Sequence, residues 1–259
     1  MTAREALSVA ERRLAAAGVD TPRVDAELLV AHALGVSRTG VYADPEAEVE
    51  GLEPLLARRE RREPLAYVLG EWGFRRLTLK TDARALVPRP ETETVVERAL
   101  ALLAGSTAPR VLDVGVGSGA IALALKDERP DADVTGVDVS ADALALAREN
   151  AGRLGLEVEL DEGDVETAAL GWDLVVSNPP YVESLAGLQP ELAHEPEQAL
   201  VGSGFHERLA RVAQTRFLVL EVGEGQARDV AAILEAVGYR DVRITQDLAG
   251  RERVVEGMR

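Results

Sequence analysis

Residues 110–119 read Arg-Val-Leu-Asp-Val-Gly-Val-Gly-Ser-Gly, and Ala120-Ile-Ala-Leu-Ala-Leu follows. The run Val111–Val114 is short, apolar and rich in β-branched residues, which predicts a buried strand. Glycines at 115, 117 and 119 let the backbone turn tightly and let a ligand approach without meeting a Cβ. The helix predicted over 119–127 then offers its unpaired N–H groups to whatever lies against the loop. A glycine-rich strand–loop–helix is the first unit of many α/β nucleotide-binding sheets. The pattern here lacks the G-x-G-x-x-G spacing of nicotinamide and flavin enzymes, and no G-K-[ST] follows to make a phosphate loop.

Outward from this loop, the next signals are acids at predicted strand ends. Val134-Thr-Gly-Val-Asp138 places Asp138 nineteen residues beyond Gly119. A carboxylate at that position can accept hydrogen bonds from both hydroxyls of a ribose. Gly163-Asp164 follows a third strand, where Asp164 could read an adenine amino group. Asp113 is open to two roles, orienting the loop or meeting a ligand ammonium through water. Asp113, Gly115, Val116, Gly117, Ser118, Gly119, Asp138 and Asp164 are thus the candidate cofactor residues. A loop flanked by acids rather than built to cradle pyrophosphate points to S-adenosyl-L-methionine (AdoMet), whose sulfonium is positive.

Residues 172–181 read Trp-Asp-Leu-Val-Val-Ser-Asn-Pro-Pro-Tyr. The two prolines forbid helix or continued strand pairing, so the chain must turn where the strand Leu174–Ser177 ends. The Asn178 side chain and the Pro179 carbonyl become fixed acceptors beside the Tyr181 ring, a clamp for a planar –NH2 group. Asn-Pro often does no more than start a turn. Here the chain holds only two asparagines, Asn150 and Asn178, and the glycine loop lies upstream. Both favour the clamp.

The remaining pattern supports an α/β body behind a helical head. Helices are predicted at Leu7–Ala17 with Gly18 after it, at 22–33 closed by Gly35, and at 45–62. The arginines at 58, 59, 61 and 62 suit a helix C-terminus and read as a solvated face. Phe74, Leu77 and Leu79, then Ala85–Val87, suggest a short hairpin, and a helix follows over 92–104. Strands and helices then alternate: strands at 134–137, 156–160, 174–177 and 217–222, helices at 140–154, 205–214 and 225–237. Two closing strands near 240–244 and 252–256 suggest an antiparallel edge hairpin. The expected class is α/β: a Rossmann-like, mostly parallel seven-stranded sheet preceded by a small helical domain. The expected divisions are a helical domain over 1–70, a hairpin linker over 71–90 and a catalytic domain over 91–259.

Net charge is −16, unevenly placed. Residues 1–80 hold 12 Lys+Arg against 13 Asp+Glu, and the remainder holds 17 against 32. Such an acidic body argues against generic phosphate-backbone binding. No cysteine is present and the three histidines (His32, His194, His206) are scattered, so no metal site is expected. No apolar run is long enough to span a bilayer, and the first residues lack a signal core. A cytoplasmic location is expected.

With D-x-G-x-G-x-G, an acid ending strand two and N-P-P-Y after strand four, the chain resembles class I AdoMet methyltransferases that act on a planar nitrogen. Four further stretches resemble the release factor glutamine-N5 methyltransferases (the PrmC/HemK family). They are Arg62-Glu-Pro-Leu-Ala-Tyr-Val-Leu-Gly70, Leu86-Val-Pro-Arg-Pro-Glu-Thr-Glu93, Glu195-Pro-Glu-Gln-Ala-Leu200 and Leu220-Glu-Val-Gly223. The resemblance implies methyl transfer from AdoMet, leaving S-adenosyl-L-homocysteine, to the glutamine amide of the Gly-Gly-Gln loop of peptide-chain release factors. It implies that Gly115–Gly119 and Asp138 bind AdoMet and that Val165 flanks the adenine. Asn178, Pro179, Pro180 and Tyr181 would hold the glutamine, and the helical N-terminal domain would dock the release factor. A monomer is expected, without nucleic acid or membrane. The alternatives that share the clamp are a ribosomal-protein glutamine methyltransferase and a DNA or RNA adenine-N6 methyltransferase. One departure stands out: the segment between Leu200 and Phe217 is shorter than in the family. Gln214-Thr215-Arg216 replaces its usual Gly-Gly turn, so the substrate-side wall is expected to differ in shape while the clamp is kept.

Overall fold

A computed structural model describes residues 1–182, 184 and 187–259, and the chain divides into two compact units. The first comprises Met1–Glu71 with Leu188–His194. Helix α1 (Ala3–Ala16) begins in a capping box: Thr2 Oγ1 accepts the Glu5 N–H, and the Glu5 carboxylate accepts the Thr2 N–H. Such a cap stabilises a helix by about 1 kcal/mol. Helix α2 (Pro22–Leu34) opens on proline and closes on Gly35 at φ 66°, a left-handed conformation that costs glycine little. Helix α3 (Leu52–Glu60) and the short α4 (Leu65–Leu69) complete the unit. Ala6, Ala10, Leu14, Leu29, Val30 and Leu56 form its core.

Two expectations for this unit need correction. The helix foreseen over 45–62 begins only at Leu52, because Gly51 sits at φ 72° and Val49 donates its N–H to the Met1 carbonyl instead. The arginine run is a solvated face only at Arg61, which is exposed. Arg59 is buried, with Nε on Asp25 at 2.7 Å and Nη1 on Glu191 at 2.8 Å. Arg62 grips the same Glu191, and Arg58 caps the carbonyls of Tyr67 and Val68 while pairing with Glu63. Helical charge order was a poor guide because the guanidinium groups of Arg58, Arg59 and Arg62 each have a carboxylate or carbonyl in reach within the unit.

The second unit comprises Trp72–Gly187 and Glu195–Arg259. A two-stranded ribbon, β1 (Glu71–Phe74) and β2 (Leu77–Lys80), leads into it. Ala85–Val87, foreseen as part of that ribbon, is irregular. Helix α5 (Glu93–Leu102) follows a 3-10 turn at Pro90–Thr92. Then come β3 (Arg110–Val114), α6 (Ala120–Glu128), β4 (Asp133–Asp138), α7 (Ala141–Leu154) and β5 (Glu159–Glu162). After a 3-10 segment at Val165–Leu170 come β6 (Trp172–Ser177), α8 (Glu197–Leu200), α9 (Phe205–Val212) and β7 (Thr215–Glu221). Helix α10 (Ala227–Ala236), β8 (Arg240–Gln246) and β9 (Glu252–Met258) close the chain. The strand expected at 156–160 therefore lies later, at 159–162.

The seven strands order as β5-β4-β3-β6-β7-β9-β8. The first five are mutually parallel, while β9 runs antiparallel to both β7 and β8. The expected Rossmann-like sheet with an antiparallel edge is borne out. Strand residues alternate between two apolar layers, as period-2 geometry requires. Val111, Leu174, Val176, Phe217 and Val219 pack with α5, α6 and α7. Leu112, Val114, Val175, Leu218 and Leu220 pack with α9 and α10. Both faces being covered explains why these strands read as continuous apolar runs. The chain order reverses between β3 and β6, and a crevice outside the strand ends is the standard ligand position there.

Candidate active site

A cleft of about 960 Å³, measured out to its mouth, lies at the carboxyl ends of β3, β4 and β6. Gly115, Val116, Gly117 and Ser118 line it, as do Asp138, Asp164, Asn178 and Pro180. The fold thus brings together residues from the loop after β3, the end of β4, the turn after β5 and the turn after β6.

The loop conformation is imposed from outside as well as by glycine. Gly115 and Val116 donate their N–H groups to the Val137 carbonyl at 2.8 and 2.9 Å. Gly115, Gly117 and Gly119 all have positive φ, at 79°, 55° and 89°. Gly119 also lies against α6: a Cβ there would sit 2.8 Å from Leu123 Cδ1. Asp138 Oδ2 accepts the Gly117 N–H at 3.0 Å and Oδ1 accepts the Ser140 N–H at 2.9 Å.

Asp113 sits beneath this loop and does not line the cleft. It shares strand parity with Val111, so its side chain points to the α6 layer, where Oδ2 accepts the Ala122 N–H at 3.1 Å. Its other oxygen is buried without a partner, and burial pushes the carboxyl up to about 7. Of the two roles left open by the sequence, this geometry supports orienting the loop. Val165 is likewise fully buried in the layer with α9 and α10, away from the cleft wall. Asp164 does face the cleft, yet both its oxygens have partners. Oδ1 accepts the Val165 N–H, and Oδ2 pairs with Arg208 of α9 at 3.0 Å.

The Asn178–Tyr181 turn is braced on every side. Ser177, just before it, donates its hydroxyl to the Val114 carbonyl at 2.6 Å, fastening β6 to the glycine loop's strand. Asn178 Nδ2 donates to Thr92 Oγ1 at 3.2 Å. The Thr92 hydroxyl donates to Glu221 Oε2 at 2.6 Å, and the Tyr181 hydroxyl to Glu221 Oε1 at 3.3 Å. Gln226 completes the brace: its Nε2 donates to the Tyr181 carbonyl at 3.0 Å and its Oε1 accepts the Gly223 N–H at 3.0 Å. Gly223 lets the Tyr181 ring approach, since a Cβ there would stand 3.0 Å from Tyr181 Cδ2. Gly202 does the same for Pro180, whose carbonyl would lie 2.8 Å from a Cβ. Val182 pairs with Val201 in a short parallel bridge. The shortened segment therefore still backs the turn, with α9 two residues briefer than expected and Thr215 already in β7. Asn178 and Pro180 line the cleft, and Pro179 and Tyr181 flank them in the turn.

Several wall residues had not been singled out. Thr92 and Arg89 come from the Leu86–Glu93 stretch, Gln198 from the Glu195–Leu200 stretch, and Phe205 from α9. The buried Glu195 carboxylate accepts the Val87 N–H at 3.0 Å and pairs with Arg89, holding the 87–89 loop at the rim. Those two stretches had carried the family resemblance, so the signal was present without its physical reason. Val139 is 60% exposed yet apolar, as a residue facing a ligand would be. Among the described residues, no cluster of His, Cys, Asp and Glu could hold a metal, and no helix is long and apolar enough to cross a membrane.

Comparison with known proteins gives a consistent result. A family model for the PrmC N-terminal domain matches residues 5–70, and one for the methyltransferase small domain matches residues 96–221. The chain is 42% identical to a release factor glutamine methyltransferase of Deinococcus radiodurans, covering 100% of this chain and 99% of that one. To the release factor glutamine methyltransferase of Rhodospirillum rubrum it is 45% identical, over 93% of this chain and 80% of the relative. Human methyltransferase 10 domain containing protein has a similar fold, with a TM-score of 0.54 at 14% identity, covering 70% of this chain and 87% of that one.

Proposed function

Because this chain belongs to the release factor glutamine methyltransferase family, we propose that it methylates the side-chain amide nitrogen of the glutamine in a release factor's Gly-Gly-Gln loop, using AdoMet. One observation carries the reading: Asn178 lines the same cleft as the 115–118 loop, with its amide nitrogen already engaged by Thr92. Its oxygen is then the atom left to accept an N–H from an incoming amide.

The cleft residues suit AdoMet. The glycine loop gives close backbone approach, Asp138 offers a carboxylate at the ribose position, and Val116, Val139 and Phe205 offer apolar surface. The Asp138 carboxylate on the wall, bonded to backbone N–H groups, suits a cationic ligand, whereas Asp164 already pairs with Arg208. Bound there, AdoMet supplies an electrophilic methyl group on a positively charged sulfur.

The protein's own part is alignment. An amide nitrogen is a weak nucleophile because its lone pair is delocalised into the carbonyl. Asn178 Oδ1 and the Pro179 carbonyl each accept one N–H of the glutamine, fixing the nitrogen and raising its electron density. A neutral hydrogen bond contributes only about 1 kcal/mol net to binding. Orientation for in-line attack is worth up to roughly 7–11 kcal/mol, so alignment outweighs affinity here. Tyr181, tied through its hydroxyl and carbonyl, keeps the turn rigid while that alignment is held. No general base is required, because the alkylated amide nitrogen is acidic and loses its proton to water. The helical unit of residues 1–71 is the proposed docking module for the release factor.

Mass spectrometry of a release factor incubated with this protein and AdoMet tests the reading. The expected product is heavier by one CH2 at the Gly-Gly-Gln glutamine. Methyl incorporation into a ribosomal protein or DNA, with none into the release factor, would reject it.

A further inference from the structure

An asparagine amide has two ends alike in shape and opposite in hydrogen bonding, and only one orientation presents an acceptor. We propose that Thr92 and Glu221 are positioning residues that set this orientation of Asn178, which rests on the acceptor role assigned to Asn178 above. The chain of bonds has a direction. Glu221, 1% exposed at the end of β7, accepts through both oxygens. Thr92, 4% exposed, has a single hydroxyl proton and donates it to Glu221 Oε2 at 2.6 Å. Thr92 Oγ1 then has only lone pairs to offer, so its contact with Asn178 at 3.2 Å requires an N–H from the amide. The inverse orientation sets two acceptors against each other with no proton between them. It also meets the substrate –NH2 with another –NH2.

The relay does more than orient. Each bond polarises the next, so a negative charge behind Thr92 makes Asn178 Oδ1 a stronger acceptor at the far end. Glu221 also holds the Tyr181 hydroxyl, so one buried carboxylate anchors the first and last residues of the turn. The residues are remote in sequence: 86 positions separate Thr92 from Asn178 and 129 separate it from Glu221. The groups facing Glu221 are Thr92 and Glu91 from the 3-10 turn, Tyr181 from the turn after β6, and Arg253 from β9. His206 of α9 meets only its backbone carbonyl. Burial outweighs Thr92, Arg253 and Tyr181 and pushes the Glu221 carboxyl up to about 7. The relay as drawn belongs to the ionised form. A protonated Glu221 can donate to Thr92 instead, which releases the hydroxyl proton toward Oδ1 and removes the bias.

The composition makes the test clean. With only two asparagines, selective 15N-asparagine labelling gives two side-chain NH2 pairs, from Asn150 and Asn178. Asn150 is bonded to the carbonyls of Lys80 and Ser118 and serves as the internal reference. Thr92→Val should shift the Asn178 pair, leave Asn150 in place, and lower kcat by roughly tenfold or more while the AdoMet Kd holds within about twofold. Thr92→Ser, which keeps the hydroxyl, should restore both the resonance and kcat. The Asn178 pair should also titrate with a midpoint near 7, and Glu221→Gln should abolish that titration. An unmoved Asn178 pair in Thr92→Val, or failure of Thr92→Ser to restore kcat, overturns the relay. The resonances are read on the enzyme alone. A parent enzyme that methylates no release factor therefore rejects the functional reading while the relay stands or falls on its own spectrum.

Discussion

Asp138 Oδ2 lies 3.0 Å from the backbone nitrogen of Gly117, so the carboxylate that ends β4 holds the loop that follows β3. The second oxygen, on the Ser140 N–H, fixes the start of α7 in the same stroke. One side chain thus ties together three elements at the mouth of the cleft. A ribose-binding role and a loop-holding role are compatible, since each carboxylate oxygen has two lone pairs.

Asp138→Ala should therefore weaken AdoMet binding through two routes, loss of an acceptor and release of the loop. Titration calorimetry should show a Kd higher by roughly tenfold or more, on the scale of about 1.4 kcal/mol per decade. Asp138→Asn, which keeps one acceptor, should fall between. An unchanged Kd for the alanine variant would remove the residue from the cofactor site.

Asn178→Ala should separate binding from chemistry. The glycine loop and Asp138 are untouched, so AdoMet affinity should hold within about twofold, while turnover falls by roughly a hundredfold, the usual cost of deleting an aligned polar group at a reacting centre. Single-turnover methyl transfer at saturating AdoMet measures this directly. Comparable rates for parent and variant would reject the clamp.

Gly136→Ala reaches the site from behind. A Cβ at Gly136 would lie 2.6 Å from Val116 Cγ2 and 3.0 Å from Leu160 Cδ2. Val116 lines the cleft, so relief of that clash displaces the cleft wall. Overpacking of this kind costs about 1–3 kcal/mol. Thermal denaturation should show a lower Tm, and AdoMet affinity should drop with it, although residue 136 touches no ligand position.

Stability should carry a signature of the buried acids. Asp113 and Glu221 are both pushed up to about 7, above their ordinary values of 3.8 and 4.5. The folded state binds these protons more tightly than the unfolded chain, so stability is lost as pH rises from about 4 through about 7. Burial holds His206 below its ordinary value, which works in the opposite sense within the same window. The comparison that isolates the acid is parent against Asp113→Asn. Urea unfolding at pH 5 and pH 8 should give the variant a flatter pH dependence, by roughly 1 kcal/mol or more. Equal slopes would show that Asp113 is ionised at little cost.

Much of the site was legible because its residues are close to a strand end in sequence. The 115–119 loop, Asp138 and the Asn178–Tyr181 turn each announce themselves through local rules: glycine where φ is positive, an acid where a strand stops, prolines where pairing must end. Val165 showed the limit of that reasoning, and Asp113 took the loop-orienting one of its two expected roles. Both flank the right loops, yet strand parity sends one toward α6 and burial takes the other into the α9–α10 layer. The arginines at 59 and 62 failed for a related reason, since local charge order says nothing about Glu191, more than a hundred residues away.

The sequence alone determined the alternation of strands and helices, the antiparallel edge and the position of the cleft, because hydrophobic periodicity and turn chemistry are local and each strand end follows from its own neighbours. Only the tertiary structure decided which way the Asn178 amide faces. That orientation depends on a hydroxyl from the turn before α5 and a carboxylate from the end of β7. Long-range hydrogen-bond partners leave no periodic trace in a chain; they exist once the sheet has stacked β6 beside β7 and packed α5 across them.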